Sequence, residues 1–70
     1  MRSPTAPLTE PRPGDVVKGQ WGEIRTVETR DKAVSFHRRA PWGGRHRHWC
    51  SGLGQWREWA RNAEVLHVAE

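Results

Sequence analysis

Apolar residues recur along this chain in short alternating runs, and those runs predict its elements. In residues 33–38, Val34 and Phe36 alternate with Ser35 and His37, the two-residue period of a half-buried strand. The preceding run, 24–29, is rich in β-branched residues but spaces Ile24 and Val27 three apart. Thr26, Val27 and Thr29 disfavour a helix there, so a bulge or sharp bend is expected that re-aims Val27 into the same core. Asp31 and Lys32 lie between the two runs and predict a hairpin. "DVVKG" before them and "EVLHV" near the end each read as a further short strand, and "RHRHWC" alternates as another.

"SGLGQWREWARN" departs from this period. Leu53, Trp56 and Ala60 fall three and four apart, which places them on one side of a short helix. It opens at Ser51 or Gly52, stops near Asn62, buries Trp56 and leaves Trp59 partly exposed. "RAPWGGR" is a loop with Trp42 at its tip. Residues 1–13 carry Pro4, Pro7, Pro11 and Pro13 and read as a flexible Pro-rich tail, with residues 14–70 as the domain. The order of elements predicts a mostly β fold: an SH3-like small barrel of about five strands with a short helical turn before the last strand.

Between residues 13 and 38 the chain resembles the KOW type of SH3-like barrel. The likeness rests on Gly14-Asp15-Val16-Val17, then Gly19, Trp21-Gly22, Ile24, Val27, Val34 and Phe36. It implies that Gly22 sits at a bend or close approach, and that Ile24, Val27, Val34 and Phe36 line the core. It also implies a loop-borne surface for RNA or protein. The segment 38–50 departs from that pattern. The same barrel serves plasmid-type dihydrofolate reductases, whose site needs a Val-Gln-Ile-Tyr strand, and this chain has no Tyr.

Composition sharpens this reading in two ways. Among 70 residues there are five Trp, one Phe and few aliphatics, so tryptophans must supply much of the core. Each can bury ~200 Å² and brings one N–H that wants an acceptor. The single cysteine excludes a disulfide within the chain and suits a reducing, cytoplasmic setting. The N-terminus lacks the apolar stretch of a signal peptide, and no apolar run is long enough to span a bilayer, so no membrane partner is expected.

The formal net charge is +4, and the excess is local. From Arg25 to Arg47, seven basic residues face only Glu28 and Asp31. Arg38, Arg39, Arg45 and Arg47 flank the loop that bears Trp42, a grouping that suits phosphates and an unpaired base. The expected function is therefore a non-catalytic module that binds nucleic acid, RNA or DNA, through Arg38, Arg39, Trp42, Arg45 and Arg47. The alternative is a small phage- or mobile-element-type protein that inhibits or adapts a larger host protein complex, because Trp and Arg also dominate protein hot spots.

Two other chemistries carry less. His46, His48 and Cys50 share one strand face, and His37 could join them, but the spacing matches no familiar zinc pattern. No metal or cofactor is expected on that basis. Cys50 with a histidine could form a nucleophile and base, yet no Gly-rich turn follows it to hold an oxyanion, so no enzyme activity is expected. Oligomeric state is left open.

Overall fold

The structure, a computed structural model, describes residues 2–40 and 47–70. Alternating runs become five strands: β1 Val16–Lys18, β2 Ile24–Arg30, β3 Ala33–Arg39, β4 Arg47–Gly52 and β5 Glu64–His67. They form one antiparallel sheet in the order β4-β3-β2-β1-β5. Among the described residues no pairing joins the two outer strands, β4 and β5, so the sheet is open rather than closed on itself. Helix α2, Leu53–Ala60, follows β4 and precedes β5, and is two turns long. No helix among the described residues is long and apolar enough to cross a membrane.

β2 is bulged, but not between Ile24 and Val27: that stretch pairs regularly, so Ile24, expected in the core, faces away from it and only Val27 joins it. Val27 pairs with Phe36, and the next pair is Thr29 with Ser35, so Glu28 is the extra residue of a bulge. Val27 lies in the core beside its partner Phe36, 2% exposed. Val17, Val27, Val34, Phe36, Trp56 and Ala60 form that core between the sheet and α2. Trp56 is central. Its ring lies 5.5 Å from Phe36 and 5.2 Å from Trp59, centroid to centroid. Its indole N–H donates to the Pro7 carbonyl at 2.9 Å, which meets the demand that a buried Trp makes.

That hydrogen bond belongs to a segment expected to be a tail. Residues 2–13 instead lie against the domain, with a short helix α1, Ala6–Thr9, and with Pro7 and Pro11 buried. The physical reason is twofold. Proline loses little freedom on ordering and its ring is apolar. The core also lacks enough aliphatic surface of its own to cover Trp56. Asp15 anchors the segment from inside. Its fully buried carboxylate accepts from Arg2 Nη1 and Nη2 at 2.7 and 2.9 Å and from the backbone N–H groups of Arg12 and Ala69 at 2.8 and 2.7 Å. Burial alone would push this carboxyl up; the Arg2 hydrogen bonds, with those from Ala69 and Arg12, outweigh it and hold the pKa below the ordinary aspartate value.

The β1–β2 turn is tight. Gly22 N–H donates to the Gly19 carbonyl at 2.9 Å, and Gly22 adopts φ +90°, a conformation that favours glycine. Trp59 stands over Gly19 so closely that a Cβ there would lie 2.8 Å from its ring.

Candidate functional site

Antiparallel pairing brings three stretches to one end of the sheet: the β1–β2 turn, the last residues of β3 and the first of β4. Arg25 pairs with Arg38 and Arg38 with Arg47, so three arginines stand in a row across β2, β3 and β4. Directly paired residues share a face and have Cβ atoms ~5 Å apart, where like charges repel unless something intervenes. Glu23 intervenes. Its carboxylate accepts from Arg25 Nε at 2.9 Å and also pairs with Arg38.

The three arginines differ in what remains available. Arg25 is absorbed into the core edge, its guanidinium 3.8 Å from the Trp59 ring centroid and 4.4 Å from that of Phe36. Burial lowers its pKa from the ordinary arginine value, and the Glu23 carboxylate opposes that shift. Arg38 is shared between Glu23 and the ring of Trp49, 5.4 Å away. Arg47 is exposed and has no ion-pair partner among the described residues. Two residues further along β4, Trp49 is 43% exposed on the same side.

Arg39 lies on the opposite face from Arg38, as strand alternation requires. It pairs with Ile24, which in turn pairs with Lys18. Lys18, Gly22, Ile24, Arg39 and Ala40 line a shallow depression there. Trp21, in the adjoining β1–β2 turn, is 80% exposed. This end of the sheet therefore presents Arg47 and Trp49 on one side and Lys18 and Arg39 on the other, with Trp21 at its turn.

Of the five residues expected to bind a partner, Arg38, Arg39 and Arg47 meet at this end, while Trp42 and Arg45 lie outside the described residues. Lys18, Trp21 and Trp49 were not among the expected contacts. The alternation of "RHRHWC" already places Arg47 and Trp49 on one face; the contribution of Lys18 and Trp21 depends on long-range strand pairing and has no local signal. Arg25, inside the basic band, is a structural residue.

On the face away from α2, His37 and His48 are direct cross-strand partners. The bulge residue Glu28 joins them, with Oε1 at 2.5 Å from His37 Nε2 and Oε2 at 2.8 Å from His48 Nδ1. The other nitrogen of His48 is 2.7 Å from Ser35 Oγ. Both ring nitrogens of His48 are thus engaged, by Glu28 and by Ser35; Cys50, the cross-strand partner of Ser35, is exposed. His46 lies outside the described residues. One potential ligand atom from each of Glu28, His37 and His48 lies within 4.8 Å of the others. Cys50 is not in this group, and Glu28 was not expected in it.

No protein-family model matches the chain, no curated protein matches its sequence, and no solved structure matches its fold.

Proposed function

We propose that this protein is a non-catalytic module that binds single-stranded nucleic acid at the β1–β2 turn end of its sheet. The observation that carries the reading is the juxtaposition of Arg47, without an ion-pair partner among the described residues, and exposed Trp49 on β4, with Arg39 and Lys18 on the other face of the same sheet end. Cationic groups along a strand neutralise phosphates and release counterions, and exposed indoles stack on bases of any sequence. The architecture we propose is that of a KOW-type SH3-like small barrel left open between β4 and β5, a reading supported by the strand order and by a helix just before the last strand. A cytoplasmic setting accords with the single free thiol.

Fluorescence anisotropy with labelled single-stranded DNA, single-stranded RNA and duplex, each at several salt concentrations, tests this. Arg39→Ala and Arg47→Ala should each flatten the salt slope by ~0.7 if each removes one contact to a single strand. Trp49→Ala should weaken binding by ~1–3 kcal/mol with little change in that slope, because stacking releases no counterion. Absence of salt-dependent binding to any of the three probes refutes the proposal.

One observation favours a second reading. Strand β4 is an open edge with Trp49 exposed, which suits addition of a strand from a larger protein partner. A small phage- or mobile-element-type protein that adapts a host complex would work this way. Trp49→Ala would then abolish binding, and salt would be secondary.

A further inference from the structure

The cluster of Glu28, His37 and His48 shares no residue with the basic end. We propose that Glu28, His37 and His48 form a mononuclear site for a divalent transition ion, with Zn²⁺ as the occupant. The donor set is two imidazoles and one carboxylate, which zinc accepts in sites that leave a coordination position open. All three ligand atoms lie within 4.8 Å of one another. A tetrahedral zinc with bonds of ~2.0–2.2 Å needs its ligands ~3.3 Å apart, so the Glu28 contacts of 2.5 and 2.8 Å must open by under ~1 Å to admit it.

Three features of the fold build this site. The β3–β4 register sets His37 directly opposite His48, with ring centroids 5.7 Å apart and the planes at 90°, so the rings are edge to face rather than stacked. The bulge in β2 frees Glu28 from the pairing pattern and brings its carboxylate to both imidazoles. Ser35 then engages His48 Nε2 at 2.7 Å. With the ring proton on that nitrogen, His48 Nδ1 is the atom left to ligate, and an ion bound there replaces the direct Glu28–His48 contact. A hydrogen bond to the non-ligating nitrogen of a metal-bound histidine is the usual means of orienting the ring, and Ser35 is placed to supply it.

The position is half-exposed and floored by strands rather than enclosed, so the site holds a metal with water completing its coordination. Cys50 is not a ligand, although sequence alone points to it and its thiol is exposed.

The test uses the full chain, treated with chelator and then titrated with ZnCl₂ by calorimetry. Two-dimensional NMR of the imidazole nitrogens follows the same titration. The expected result is one saturable ion per chain, with selective shifts at His37 Nε2 and His48 Nδ1. Glu28→Gln, His37→Ala and His48→Ala should each weaken binding at least tenfold, and Ser35→Ala should do so by ~10-fold through His48 alone. Cys50→Ser and His67→Ala should leave the affinity unchanged. Each variant is first shown by circular dichroism to be folded; Glu28→Gln, the most conservative, keeps the test decisive if a histidine variant unfolds. No saturable binding, binding indifferent to Glu28→Gln in the folded protein, or binding lost on Cys50→Ser overturns the proposal.

Discussion

Asp15→Asn tests the internal anchor that ties both chain ends to the sheet. The change keeps shape and removes charge. Aspartate Oδ1 accepts from Arg2 Nη1 and the Ala69 N–H, and Oδ2 from Arg2 Nη2 and the Arg12 N–H. An asparagine has only one acceptor oxygen, so in either amide orientation its NH₂ confronts one guanidinium N–H and one backbone N–H. Removing one partner of a buried ion pair costs ~3–5 kcal/mol. Arg2, near the chain start, can turn toward water, which limits the expected loss to ~2–4 kcal/mol, the scale of one or two hydrogen bonds to a charged group. A chain of this length has a total stability of ~4–10 kcal/mol, so the variant loses a large share of it. The midpoint of thermal unfolding should fall by ~10–25 °C. Thermal and urea unfolding followed by circular dichroism measure this at pH 7 and below. Because the folded pKa of Asp15 is depressed, its contribution is complete above the unfolded value of ~3.9 and is lost as pH falls through the folded value. The gap between wild type and Asp15→Asn should therefore be widest at neutral pH and close below about pH 4. A variant within ~0.5 kcal/mol of wild type at pH 7, the ordinary scatter of surface changes, would refute the account of Asp15 as an anchor.

Phe36→Ala should cost ~3–5 kcal/mol in urea unfolding, whereas Ser35→Ala on the opposite face should cost under ~1 kcal/mol; equal losses would invert the strand register. Arg25→Lys should destabilise by ~1–2 kcal/mol despite retaining the charge, because an ammonium lacks the flat face that lies between Phe36 and Trp59; an unchanged urea midpoint would show that the charge alone matters. Gly19→Ala should cost ~1–3 kcal/mol through its clash with Trp59, and pairing it with Trp59→Leu should recover part of that loss in a double-mutant cycle.

Much of the β framework was legible from local pattern. Val34 and Phe36 alternate with polar neighbours and Asp31-Lys32 marks the hairpin, whereas the three-residue step from Ile24 to Val27 places those two on opposite faces and the bulge falls one residue later, at Glu28. These signals are local because side-chain direction in a strand depends only on the backbone period. Leu53, Trp56 and Ala60 revealed α2 for the same reason, at the helical period, and Trp56 is buried with Trp59 half-exposed as that spacing implies. The candidate contacts were legible only as a basic band with interleaved tryptophans. Which members are available was not: Arg25 looks like Arg38 and Arg47 in sequence, yet it alone is enclosed by aromatic rings.

What tertiary structure decided was every feature that depends on residues far apart in the chain. Prolines that locally suggest a tail became core because Trp56, 49 positions after Pro7, needed both cover and an acceptor. Glu28 met His37 and His48 because a bulge and a strand register coincide, and neither the identity of Glu28 nor its neighbours signals that meeting. The sheet stays open because β4 and β5 come to lie at opposite edges. Alternation specifies which face a residue joins, but not which strands become neighbours. That choice is made by the packing of α2 and residues 2–13 around Trp56 and the apolar side of the sheet, surface that no single strand could bury.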